Sequence, residues 1–244
     1  LAWDTSKVTT LSRTFTNAEA FNSELAWDTS KVTNMGQMFQ SAKAFNSDLA
    51  WDTSKLTIFF STFRSAEAFN APLVWDTSKV TNMQSTLDGT WAFNQPLAWD
   101  TSKVTTMRGT FGFAKTFDQP LVWDTSKVTN MGWAFSGAGA FNQQLVWDTS
   151  KVTNMAYTFF SAEAYNQFLP WDASAVTTMR FTFDGSALES DDCSKQKMHE
   201  AWKDVAAFTN RYNWPSAVCP AGVFPDRDRL KAAVDDMQTA EATH

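Results

Sequence analysis

Apolar residues return along this chain with a fixed rhythm. Trp stands at positions 3, 27, 51, 75, 99, 123, 147 and 171, always 24 residues apart, and Asp follows each one. A unit reads W-D-T-S-K-V-T-N-M-x-x-x-F-x-x-A-x-A-F-N-x-x-L-x. It holds two apolar patterns. Val32, Met35, Phe39 and Ala42 share the spacing of one face of a short helix or 3₁₀ turn, predicted over about 33–42. Thr33 is placed to cap that turn, and Thr recurs there in every unit from Thr9 to Thr177. Leu25 and Trp27 alternate with Ala26 and Asp28, which predicts a short strand over about 20–28.

One such unit cannot enclose a core, but a stack of them can, with each apolar position above its equivalent in the next turn. The expected fold is therefore an α/β repeat solenoid. It is a leucine-rich-repeat-like stack of about eight 24-residue turns, each a short strand plus a short helical turn, with a C-terminal helical cap. Trp27, Trp51, Trp75, Trp99, Trp123 and Trp147 form the central structural ladder, with rungs about 4.8 Å apart. Phe21 to Phe141 with Tyr165 form a second ladder, and Phe15 to Phe183, with Leu87 in one rung, a third. An Asn ladder from Asn22 to Asn166, with Asp118 in one rung, is expected to hydrogen-bond from turn to turn.

The rhythm stops near Ala187. Leu188 to Asp192 reads as a polar junction. Ser194 to Tyr212 reads as an amphipathic helix with Ser194 as N-cap and Met198, Trp202, Val205 and Phe208 on one face. Cys193 and Cys219 bracket it, so a disulfide is expected to fasten the cap. The expected division is residues 1–187 as solenoid, 188–222 as disulfide-tied helical cap, and 223–244 as a linker or helix leading toward a further module. Because Leu1 opens in the middle of a unit, the chain reads as an internal piece of a longer protein.

The string from Val32 to Leu49, V-T-N-M-x-x-M-F-x-x-A-x-x-F-N-x-x-L, resembles the BspA-like leucine-rich-repeat surface proteins. It looks closest to the branch with W-D-x-S-x-V-T-N-M repeats, found in mycoplasma surface lipoproteins and in marine microalgae. The likeness covers residues 1–187. It implies a solenoid displayed outside the cell for adhesion or protein contacts, with no catalytic residues to carry over.

Chemistry is sparse in the array. His199 and His244 both lie outside it, as do both cysteines, so no triad and no zinc site can be built there. The Asp ladder from Asp4 to Asp172 offers eight equivalent carboxylates, whereas acid–base catalysis needs two unlike ones. An Asx turn onto the N–H two residues on is the expected role, with Lys31 and its equivalents supplying compensating charge. The net charge of −6 argues against nucleic acid, and no stretch approaches the roughly 18 apolar residues of a membrane helix. No catalytic residue, metal or cofactor is expected.

What varies between units is more informative. Ten residues after each Trp the chain reads Arg13, Gln37, Ser61, Ser85, Gly109, Trp133, Tyr157 and Phe181. The last three predict an exposed aromatic column, and Trp91, Phe113 and Phe160 are further aromatics at non-core positions. These six residues are the candidate partner-binding set. The expected function is a non-catalytic extracellular adhesion or protein-binding module at the cell surface, whose partner is another protein or other copies of the chain. The alternative is a structural rod or scaffold in a larger assembly; divalent-cation or glycan binding along the ladder is a lesser one.

Overall fold

The computed structural model of the chain describes residues 3–212 and 214. The 24-residue units stack on one another in register, as the period predicts, but the unit is built differently from the α/β turn expected. No helix forms over 33–42. Met35, Gln37, Phe39 and Ser41 instead donate their N–H groups to the carbonyls of Ile58, Phe60, Thr62 and Arg64 in the next unit, at 2.7–3.0 Å. The amides between them bond locally: Met38 to the Met35 carbonyl, Gln40 to Gln37, Ala42 to Phe39. The segment is thus a run of tight turns that sends every second N–H to its neighbour.

Gln37 and Ser41 carry φ of 60° and 59°, each the third residue of one of these turns, as in type II geometry. The same two positions are positive in every unit, from Arg13 and Asn17 to Phe181 and Gly185. Successive turns still place residues three and four apart on one side. That is why the apolar spacing imitates a helix. An α-helix would spend each N–H inside the unit and leave none for the stack.

The strand over 20–28 is also absent. Among the described residues the sheet pairing consists of isolated parallel bridges, such as Thr10 with Asn34 and Asn130 with Asn154. Thr33 caps nothing. Its N–H donates to the Thr9 carbonyl at 2.9 Å and its hydroxyl points at the same oxygen.

Packing carries the rest. Successive Trp rings, Trp75 and Trp99 excepted, lie 5.7–6.2 Å apart with interplanar angles of 1–17°, farther than a strand spacing because the rings are offset. From Trp51 to Trp171 each indole N–H donates to the Leu carbonyl 26 residues earlier. From Trp51 onward the buried ring therefore leaves no unpaired nitrogen, whereas the Trp27 indole nitrogen is buried without a partner. Inside a unit the two Phe rings stack closely, as with Phe39 and Phe45 at 4.0 Å. Trp27 to Trp171 are buried, while Trp3, at the first described unit, is 58% exposed.

A 3₁₀ turn (Ala187–Ser190) leads into α1 (Asp192–Trp202) and α2 (Ala206–Thr209). The single amphipathic helix expected from Ser194 to Tyr212 is thus two helices. Asp191, not Ser194, caps α1 by accepting from the Cys193 N–H at 3.0 Å, and Ser194 lies buried inside it, donating to Asp191. Leu188 is buried too, so the junction is not wholly polar. Met198, Trp202 and Phe208 close over the last rung, with Trp202 5.6 Å from Phe208 and 6.0 Å from Phe183. Cys193 is disulfide-bonded. Cys219, its expected partner, and the segment 223–244 lie outside the described residues.

Candidate functional site

The positive-φ position ten residues after each Trp has its N–H tied to the next unit, as Trp133 to Ala156 and Tyr157 to Arg180; Arg13 is exposed there, Gln37 and the three aromatics are half-buried, and Ser61, Ser85 and Gly109 are buried. The side chains there consequently form a column. Trp133 and Tyr157 stack at 4.0 Å with 10° between planes, and Tyr157 meets Phe181 at 5.2 Å and 33°. Phe160 stands edge-on to Tyr157 at 5.6 Å. All four are half-buried. Four of the six candidate residues therefore form one connected patch.

The other two do not join it. Phe113 is 49% exposed, and its ring lies over Gly137, where an added Cβ would come within 2.6 Å of it. Phe60 lies over Gly36 in the same way. Trp91 is 42% exposed and carries the Lys115 ammonium 3.7 Å above its ring centroid. These aromatics are accounted for largely by neighbouring units and by one cation–π contact.

Arginines that the sequence reading did not single out border the column. Arg180 lies over the Phe181 ring at 5.0 Å and Arg211 at 4.6 Å. Arg211 also pairs with Asp184, whose carboxylate accepts from the Tyr212 hydroxyl at 2.9 Å. The signal for Arg180 was available: it immediately precedes Phe181. Arg211 comes from the cap, which no repeat period could place.

The Asp ladder closes Asx turns throughout: each Asp from Asp4 to Asp172 accepts the N–H two residues on, at 2.9–3.1 Å. The serine hydroxyl and N–H hold Asp4, Asp28, Asp52, Asp76 and Asp100 below the usual carboxylate range. Asp88 behaves oppposite in kind: burial pushes its carboxyl up, although Arg64 bridges it at 3.3 Å. Among the described residues no three His, Cys, Asp or Glu side chains converge as a metal site, and no helix is long and apolar enough to cross a membrane.

The Asn ladder bonds differently from stacked amides. Each backbone N–H donates to the side-chain oxygen one unit back, as Asn94 to Asn70 and Asp118 to Asn94. Only an acceptor is required, so Asp118 serves in place of Asn and accepts from the Asn142 N–H at 2.8 Å.

No curated protein and no solved structure matches the chain. Three overlapping stretches, residues 1–98, 73–167 and 121–214, match the family described as "Mycoplasma protein of unknown function, DUF285". The tandem matches follow the same repetition that builds the stack, and the chain belongs to this DUF285 repeat family.

Proposed function

We propose that the chain is a non-catalytic, extracellular adhesion or protein-binding module that holds its partner through the column of Trp133, Tyr157 and Phe181. The carrying observation is the column itself, three contiguous, partly exposed aromatic rings along the stack. Aromatics so placed dominate many protein contacts. Equivalent array units, with both histidines outside them, give no asymmetric acid–base pair and favour binding over catalysis. The bonded state of Cys193 suits an oxidising, extracellular setting. The likeness of Val32 to Leu49 to BspA-like leucine-rich-repeat surface proteins points the same way.

The test is capture of surface proteins on the immobilised chain, followed by affinity measurement with the purified partner. Replacing Trp133 and Tyr157 by Ser should weaken binding about tenfold or more while the melting temperature holds. Unchanged binding overturns the reading. If the captured species is the chain itself, sedimentation of wild type and variant assigns the column to self-assembly and favours the rod.

A further inference from the structure

One junction in the stack is bonded along one side only. Parallel bridges link neighbouring units from Thr10 to Ile58 and again from Asn82 to Thr178, but among the described residues none joins Ile58 to Asn82. Further links are missing at the same level. The Thr81 N–H and hydroxyl make no bond to the Thr57 carbonyl, whereas Thr57 to Thr33 and Thr105 to Thr81 make both. The Phe59 N–H makes none to the Asn82 carbonyl, whereas Met35 donates to Ile58 and Met83 to Thr106. The Thr53 hydroxyl is buried without a partner, as is that of Thr5 in the first unit, whereas Thr29 and Thr77 donate to Asp carbonyls one unit on.

Across the same junction the turn run is intact. Ser61, Phe63 and Ser65 donate to the carbonyls of Gln84, Thr86 and Asp88 at 2.6–2.9 Å, and Arg64 bridges Asp88 at 3.3 Å. The open edge itself keeps one printed polar link from a side chain on the surface, the Lys79 ammonium on the Ser54 carbonyl at 2.7 Å. The cause lies in the sequence of this unit. Ile58 stands where Asn34 and Asn82 accept the N–H two residues on, and Phe59 stands where those units carry Met. The Phe59 ring is edge-on to Trp99 and tilted on Trp75, and these two indoles do not stack on each other. A ring wedged there holds the layers apart along the edge where Met lets them close.

In a repeat stack each junction is a separate coupling, and a weakly bonded one opens first. Bonds along one edge and their loss along the other make rotation about the bonded edge the easiest motion. We propose that the junction between the layers of Trp75 and Trp99 is a hinge: it opens along Thr53 to Phe59, turns about Ser61 to Ser65, and swings the units before it against those after it. The column of Trp133, Tyr157 and Phe181 lies wholly on the C-terminal side, so the swing leaves that column whole.

The test uses spin labels on exposed positions of the Thr ladder in the whole chain. Labelled Thr33→Cys with Thr105→Cys spans three units across the junction; labelled Thr105→Cys with Thr177→Cys spans three units without it. Pulsed electron–electron distance measurements should give a broader distribution, reaching to longer distances, for the first pair. Restoring the pattern of the other units with Ile58→Asn, Phe59→Met and Leu87→Phe should narrow it to match the second. Phe59→Met alone, which removes only the wedge, serves if the triple variant fails to fold. In the unlabelled chain the Thr81 amide should exchange with solvent about tenfold or more faster than that of Thr105. Equal widths for the two pairs in the otherwise unaltered chain, a width unmoved in a folded repair variant, or equal protection of Thr81 and Thr105 overturns the hinge.

Discussion

Phe59 stands edge-on to Trp99, ring centroids 5.3 Å apart, while leaning on Trp75 at 5.5 Å. Among the described residues, Trp75 and Trp99 are the consecutive indoles with no stacking contact between them. The neighbouring irregularity is Leu87, which replaces the Phe expected in the third ladder. The ring lost at Leu87 is matched by the ring gained at Phe59, where the other complete units carry Met or Leu.

This pairing predicts strong coupling. Leu87→Phe alone overpacks a fully buried position and should cost about 1–3 kcal/mol. Phe59→Met alone leaves space between the indoles and should also destabilise. The double variant restores the pattern of the other units, so its loss should fall below the sum by about 1 kcal/mol or more in urea melts. Additive losses would show the two irregularities to be unrelated.

The Asn ladder predicts which substitution is silent. Asn94→Ala removes the oxygen that accepts from the Asp118 N–H and from Gln119, and should cost about 0.5–1.5 kcal/mol. Asp118→Asn keeps an acceptor and should change stability by less than about 0.5 kcal/mol. Paired denaturation curves separate the two.

Acid should act on the array with two signs. Asp4, Asp28, Asp52, Asp76 and Asp100 have folded pKa values below 3.8, so their contribution is present above that value and is lost as pH falls through the folded values. Melting temperature should therefore drop between about pH 4 and pH 2. Replacing Asp52 and Asp76 by Asn should flatten the drop. Asp88, pushed up by burial, works the other way: it weakens the fold while ionised, and protonation relieves it. Asp88→Asn should gain most over wild type at neutral pH and lose that gain below about pH 4.

The cap completes the ladder with a side chain. In the array Phe39 donates to the Thr62 carbonyl; in the last unit Phe183 donates to the Tyr212 hydroxyl at 2.9 Å. Tyr212→Phe strands that buried amide and removes a donor to Asp184, at a cost of about 1–3 kcal/mol. Hydrogen exchange should rise first at Phe183 and its neighbours, leaving the central rungs protected.

The sequence by itself determined the period, the register and the ladders. With 24 residues in every unit and no insertion, equivalent side chains must superpose once units stack, and large apolar rings at constant positions have nowhere else to be buried. The Asx turns were legible for a similar reason: they join groups two residues apart and need no tertiary partner. The same repetition brought Trp133, Tyr157 and Phe181 into one line.

Only the tertiary structure decided what backbone carries them. Val32, Met35, Phe39 and Ala42 suit a helix and a run of tight turns equally, because both bring residues three and four apart to one side. The choice depends on where Gln37 and Ser41 send their N–H groups. In isolation the local i→i+4 bond has no rival. Beside a second unit, the carbonyls of Phe60 and Arg64 accept them instead, and the turns win because they satisfy the backbone and close the stack together.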